Sequence, residues 1–342
     1  MMQPSPVYEN VGLETFIKTI VPRNEPAVMK GLCAGWPAVQ RARASDEAVA
    51  EYLRGHDLGR GVDVLEGAPD IRGEFFYGDT LKALNFTRSR AGLSPTVGRI
   101  LAERGNAEPS SIYVQSTPVR EHLPRFEREN RIGFMPDYIE PRIWIGNAVR
   151  VQTHYDLSNN IAVVVAGKRR FTTFAPDQLP NLYVGPFEVT LAGPPVSLAS
   201  LENPDFERHP RFREALASAR FADLEPGDAI YIPYAWWHHV RSLEPFNILV
   251  NYWWNDTDSG IAAPYDALLH AMMAVRDLPR SQREVWRLMF DHYVFGRNGD
   301  PVAHLQDDDK GVAGRLTPER RATLMRELGQ IMLARTEKPK PG

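Results

Sequence analysis

The chain has 342 residues, 43% of them hydrophobic, and 40 Lys and Arg against 43 Asp and Glu leave a net charge of −3, with an isoelectric point of about 6.3. That apolar fraction can bury a sizeable core in one large domain or two. The charge balance supplies no overall field to gather phosphate backbones or an anionic membrane, so nucleic acid and membrane partners are not expected.

No apolar run is long enough to span a bilayer, and the N-terminal MMQPSPVYENVG lacks a basic segment followed by an apolar one. The one cysteine, Cys33, has no intramolecular partner and is expected to pack as a small apolar residue. A cytoplasmic globular protein is expected.

Residues 1–110 read as a mixed α/β cap rather than a separate domain. The run 26–32 has strand character, Ser45 is placed as the N-cap of a helix reaching about Arg54, and Ser94-Pro95 opens another helix with proline in its first turn. From 111 to 260 short runs rich in β-branched and aromatic residues succeed one another, at 111–115, 142–145, 151–156, 161–165, 169–174, 229–232 and 247–253. Turn signals such as Glu225-Pro226-Gly227-Asp228 separate them, which predicts a mainly β sandwich or barrel, with the cap integral to it. The span 183–225 reads as a long connection with helical character at 206–208 and 212–214, placed to carry substrate contacts if it lies near a barrel mouth.

From 261 to 342 the apolar period changes from two to nearly four. Leu268, Leu269, Met272, Met273 and Val275 form one face, and Ser281-Gln282-Arg283-Glu284 fits a capping box for a helix reaching Phe295. That helix is apolar on more than one side, through Val285, Trp286, Leu288, Met289, Tyr293 and Val294. Thr317-Pro318-Glu319 starts a last helix carrying Leu324, Met325, Leu328, Ile331 and Met332, and residues 337–342 are expected to fray.

Within the β region, His154 and Asp156 stand at i and i+2, a spacing that puts both side chains on one face of a strand. His238 lies downstream at the end of the apolar run that begins at Tyr231. Two imidazoles and a carboxylate would occupy one face of an octahedral metal ion and leave three positions open. The plain alternative is a histidine pair hydrogen-bonded in a barrel mouth, and the neighbouring His239 leaves the identity of the distal ligand open on spacing alone.

The run 154–178, HYDLSNNIAVVVAGKRRFTTFAPDQ, and the run 227–254, GDAIYIPYAWWHHVRSLEPFNILVNYWW, resemble the Jumonji C, or cupin-like, Fe(II) and 2-oxoglutarate-dependent oxygenases, with the asparaginyl hydroxylases as the nearest branch. The likeness extends to Asn203-Pro204-Asp205-Phe206-Glu207-Arg208 and to the stretch 25–31, while the C-terminal third looks more like a bacterial cupin-like subgroup. The resemblance implies a double-stranded β-helix, a jelly-roll barrel of the cupin type. It also implies Fe(II) held by His154, Asp156 and His238, rather than His239, with 2-oxoglutarate as co-substrate.

The family lysine that meets the far carboxylate of 2-oxoglutarate falls on Arg169, with Lys168 as the adjacent alternative, and a family threonine falls on Val151. Arginine presents a longer planar fork where lysine presents a point charge. Tyr113, Asn160 and Asn251 match positions beside the co-substrate, and Gln115 matches a position that contacts substrate. Trp236, Trp237, Trp253 and Trp254 crowd around the distal ligand, and about half of them are expected in the core, the others as pocket wall.

The function implied is hydroxylation of a peptide or protein side chain or a small molecule, with a homodimer formed through the C-terminal helices. A non-oxygenase metal cupin of isomerase type and a non-catalytic barrel acting as a binding module are the alternatives.

Overall fold

In the computed structural model, residues 2–191, 193–256 and 264–336 are described. The chain divides into two compact units, Met1–Asn255 and Asp256–Gly342. The expected boundary between 260 and 261 and the expected frayed tail at 337–342 fall outside the described residues.

Among the described residues, fifteen strands build the first unit. They are β1 (Gln3–Pro4), β2 (Val7–Glu9), β3 (Ala27–Lys30), β4 (Gly61–Gly67), β5 (Glu74–Phe75), β6 (Thr87–Gly92), β7 (Ser111–Pro118) and β8 (Pro141–Gly146). After these come β9 (Arg150–Tyr155), β10 (Asn159–Ala166), β11 (Arg169–Phe174), β12 (Arg220–Leu224), β13 (Ala229–Ile232), β14 (Trp237–Ser242) and β15 (Asn247–Trp254). A six-stranded sheet runs β1-β12-β11-β14-β9-β5, and a nine-stranded sheet runs β2-β3-β13-β10-β15-β8-β7-β4-β6. From β9 onward the chain passes repeatedly between the two sheets, which is the jelly-roll arrangement.

Period-two alternation divides the core between two layers. Ile161, Val163 and Val165 of β10, Tyr231 of β13 and Val250 and Tyr252 of β15 face outward onto a helical layer, where they meet Val39, Val49, Leu53, Val97 and Ile100. Their alternates Ala162, Val164, Ile230, Ile232 and Leu249 face Phe171, Leu224 and Val240 of the other sheet. Each Val, Leu, Ile or Phe among them, once fully buried, stabilises the fold by about 1.5–3 kcal/mol.

The corner from β10 to β11 depends on Gly167, at φ +71°, where an added Cβ would come within 2.3 Å of Asn247 Oδ1 and 2.6 Å of the Phe246 carbonyl oxygen. Only glycine takes this left-handed turn in that space, and the turn sets which residue of β11 enters the barrel.

Local signals account for several elements. Ser45 caps the helix Asp46–Arg54, its side chain accepting from Ala48 N at 3.1 Å, and Thr317 Oγ1 accepts from Arg320 N at the start of the helix Pro318–Thr336. The capping box at Ser281 does not form. The helix Arg280–Tyr293 takes Pro279 as its N-cap and has no side-chain cap, so Ser281 already lies inside the first turn. The span 183–225 is not one connection: residues 206–208 make only a turn, while the helix Phe212–Ser218 and β12 complete it, β12 pairing with β11.

Strand β6 carries no readable apolar alternation, because it is an edge strand exposed along Thr87–Arg90. Among the described residues, no helix is long and apolar enough to cross a membrane.

A polar network ties the helical layer together. Glu129 accepts from Tyr52 Oη at 2.5 Å and from Arg125 Nε at 2.8 Å, with His56 Nε2 at 3.1 Å. These contacts, the Tyr52 hydrogen bond first, hold its carboxyl at about 2 instead of the ordinary 4.5. A depressed carboxylate stabilises the fold above its unfolded pKa, and that contribution is lost as pH falls through the folded value. Glu129→Gln is therefore expected to flatten the acid limb of stability between about pH 4.5 and 2. Urea midpoints across that range check it, and an unchanged slope would remove Glu129 as a source of acid lability.

Candidate metal centre and its cavity

His154 on β9 and His238 on β14 are directly opposed across an antiparallel ladder, with ring centroids 4.3 Å apart. The strand ends at Tyr155, so Asp156 stands just beyond it, and its position is held from outside the ladder. Its carbonyl accepts from Ala235 N at 2.9 Å. Ala235 sits at φ +60°, an uncommon conformation for a residue with a side chain, in the turn that leads into β14. One strained turn thus anchors Asp156 and aims His238.

Each histidine uses Nδ1 on the carbonyl two residues before it, His154 on Gln152 at 2.7 Å and His238 on Trp236 at 3.0 Å. A carbonyl only accepts, so both Nδ1 atoms carry the proton and both Nε2 lone pairs are left for a ligand. His238 Nε2 lies 3.6 Å from Asp156 Oδ2, and ligand atoms from all three residues lie within 4.8 Å of one another. Neighbouring ligands at about 2.1 Å from one ion stand about 3 Å apart, so the trio needs little movement to close on it.

Burial, with His154 beside it, holds His238 well below the ordinary imidazole range, which keeps it neutral as a metal ligand must be. His239 is buried too, pushed down to about 3 chiefly by desolvation, and it does not line the cavity.

The trio opens into a cavity of about 340 Å³ between the sheets, lined by Tyr113, Gln115, His154, Asp156, Asn160, Arg169, His238 and Asn251. The three candidate ligands and the four co-substrate positions and one substrate position implied by the resemblance thus meet one space. Arg169 is 1% exposed, and its Nε and Nη2 have no partner among the described residues. Lys168 turns the other way and pairs with Glu225 at 3.3 Å on the surface, as strand alternation requires.

Tyr113 is fully buried beside Arg169. Burial raises its phenol, the guanidinium partly offsets that rise, and burial without a carboxylate lowers Arg169. Asn251 Nδ2 donates to Asn160 Oδ1 at 2.7 Å, and Asn251 Oδ1 stays unpartnered.

Gln115 enters the cavity through an irregularity in β7. The β7–β8 register shifts between Val114 and Thr117, Ser116 adopts φ +43°, and Arg142 Nη1 donates to the Ser116 carbonyl at 2.8 Å and to its Oγ at 3.2 Å. Bulges of this kind re-aim side chains at sheet rims. Gly146 on β8 lets the Tyr113 ring lie flat on the strand, since a Cβ there would come within 2.6 Å of it.

Of the four clustered tryptophans only Trp253 lines the cavity. Trp236 bonds the Asn24 carbonyl, Trp237 meets Tyr155 edge-on, and Trp254 stacks on Tyr231. Sequence reasoning did not pick out Trp144, Leu65, Phe75, Phe86, Leu191 and Val196, which also line the cavity. Only Trp144 carried a usable signal, as the inward alternate of Ile143 and Ile145 on a strand read correctly.

Fold and site together define a jelly-roll barrel of the cupin type with a candidate two-histidine, one-carboxylate metal centre. The chain belongs to the cupin-like domain family, of the Jumonji C type, which matches residues 13–260. It is similar to tRNA wybutosine-synthesizing protein 5 of Gallus gallus, 26% identical over 268 residues that cover 73% of this chain and 76% of the relative. The Danio rerio protein of the same name is 27% identical, over 74% of this chain and 76% of its own length. Lysine-specific demethylase JMJ31 of Arabidopsis thaliana is 35% identical over a shorter stretch, 32% of this chain and 20% of the relative.

Proposed function

We propose that the protein is an Fe(II)- and 2-oxoglutarate-dependent dioxygenase that hydroxylates an unactivated C–H bond. One observation carries the reading. The cavity that holds the three candidate ligands also holds a buried guanidinium with two nitrogens, Nε and Nη2, that meet no acceptor among the described residues. A buried cation without a counter-charge is costly, and a ligand carboxylate would relieve it.

His154, Asp156 and His238 would hold the metal, while Arg169 and Tyr113 would take the far carboxylate and Asn160 and Asn251 would orient the near end of the acid. Ferrous iron would supply the coupling of O2 to oxidative decarboxylation, so that substrate, 2-oxoglutarate and O2 give hydroxylated substrate, succinate and CO2. The aromatic wall of Phe75, Phe86, Tyr113, Trp144 and Trp253 would exclude water from the reacting end. A cytoplasmic location accords with this reading, because a reducing compartment keeps iron ferrous.

Gln115, aimed into the cavity by the β7 bulge, offers a side-chain amide to a peptide or small-molecule amide and supports that substrate class. A second reading, action on tRNA, is favoured by similarity across three quarters of the chain to a protein named for tRNA wybutosine synthesis. The net charge of −3 weighs against it, since tRNA binding draws on excess positive surface.

The test is succinate release with Fe(II), ascorbate and 2-oxoglutarate, alone and with cell-extract peptides or total tRNA. Release stimulated by one arm identifies the class. Metal binding with no 2-oxoglutarate binding or turnover would mean an isomerase-type metal cupin, and neither would leave a binding module.

A homodimer through the C-terminal helices belongs to the same reading. The helices Pro264–Val275, Arg280–Tyr293 and Pro318–Thr336 contain no buried residue, and Met273, Leu288, Val294, Phe295, Leu328 and Leu333 are each more than half exposed. Apolar surface on this scale is uncommon on a monomer, and two-fold pairing is the commonest way to cover it. Leu328→Arg is expected to give a folded monomer by light scattering. A monomeric wild type at micromolar concentration rejects the dimer.

A further inference from the structure

Trp144 lies on the inner face of β8, opposite Leu249 of β15, and lines the cavity with Arg169. Its ring stacks on Tyr113, with centroids 5.7 Å apart and planes at 26°, and Trp253 stands edge-on to it at 6.0 Å and 84°. Packing on two sides fixes the indole, so Nε1–H has one direction, and that atom is buried with no acceptor among the described residues. An indole N–H can only donate, and buried donors in folded proteins are as a rule paired. A fixed, unpaired donor on a side chain that lines a cavity can be satisfied by an acceptor on a ligand.

Arg169 says what kind of acceptor. Its unpartnered atoms are Nε and Nη2, the same pair through which the adjacent Arg170 grips both oxygens of Asp223 at 2.6 Å each. That edge is shaped for a carboxylate. A carboxylate has about four lone-pair sites, and a side-on guanidinium takes one on each oxygen, which leaves room for further donors. Tyr113 joins the two groups, since its ring stacks on Trp144 and its phenol lies beside the Arg169 guanidinium.

We propose that Trp144 is a specificity-determining residue of this chain, its indole N–H donating to the carboxylate of the dicarboxylic acid that Arg169 grips. This rests on the reading of the cavity as a 2-oxoglutarate site. Trp144 then selects for the second carboxylate and is indifferent to the keto-acid end.

The experiment titrates Zn(II)-loaded protein with 2-oxoglutarate and with 2-oxobutyrate, which lacks the second carboxylate. Trp144→Phe keeps a stacked ring and removes the donor. It is expected to weaken 2-oxoglutarate about tenfold or more, leaving 2-oxobutyrate affinity and metal stoichiometry unchanged. Equal 2-oxoglutarate affinity in the two proteins, or an equal loss for both acids, overturns the proposal, the second result marking a purely structural residue.

A second measurement uses unmutated protein labelled with 15N-tryptophan. The Trp144 indole resonance is expected to move downfield with 2-oxoglutarate and not with 2-oxobutyrate, and no movement overturns the proposal even if the variant misfolds. A wild type that binds no 2-oxoglutarate, or binds it equally after Arg169→Ala, fails the parent reading instead, a result distinct from loss of the Trp144 effect alone.

Discussion

Asp156→Ala is expected to reduce divalent-ion binding from one equivalent to none at micromolar concentrations. The site has two neutral imidazoles and one carboxylate, so Asp156 is its only formal charge. Removing it leaves two ligands and no charge to offset the dehydration of the ion. Loss of an outer-shell partner alone costs metal sites about 10–100-fold, so loss of the charged ligand itself should exceed the upper figure. The Nδ1 bonds of His154 and His238 to backbone carbonyls keep both rings aimed without the metal, which lets the variant fold. Metal content after dialysis against Fe(II) or Mn(II), beside His239→Ala as the variant that keeps its metal, decides the matter. Full stoichiometry in Asp156→Ala would move the centre elsewhere.

Arg169→Ala should weaken 2-oxoglutarate by about 2–5 kcal/mol, the loss for one partner of a buried charge-assisted pair, which is roughly 30- to 5,000-fold in affinity. Metal binding should persist, because Arg169 is not among the ligands. The effect on the free protein should have the opposite sign. Arg169 is a buried cation whose Nε and Nη2 have no partner, so Arg169→Leu should raise the melting temperature without ligand while removing the gain that 2-oxoglutarate gives the wild type. Arg169→Lys should keep part of the affinity, through charge without the fork. Calorimetry with Mn(II)-loaded protein checks the binding, and equal affinity in wild type and Arg169→Ala would assign the carboxylate to another group.

The strands were legible where both faces are apolar or one alternates cleanly. The runs near 161–165, 169–174 and 229–232 correspond to β10, β11 and β13, because buried strands are written almost wholly in β-branched and aromatic residues. Edge strands escape such reading, as β6 does with its exposed Thr87–Arg90, since solvent on both sides asks nothing of the side chains. The mistaken capping box at Ser281 has a related cause. The motif is local and degenerate, and the helix start was decided by Pro279, whose carbonyl already accepts from Gln282 and Arg283.

By itself the sequence determined that His154 and Asp156 lie two residues apart in a strand-like run, close enough to serve one ion, while the turn at Ala235 decided where Asp156 stands past the end of β9. It also determined that only one of Lys168 and Arg169 enters the barrel. Which one enters was decided by the Gly167 corner and by the pairing of β11 with β12 and β14, contacts between segments far apart in the chain. The pairing of His154 with His238, the aim of Gln115 through the bulge and the placing of Trp144 between Tyr113 and Trp253 are likewise matters of register. Register is fixed by the joint burial of both sheets' inner faces, and no single segment carries that information.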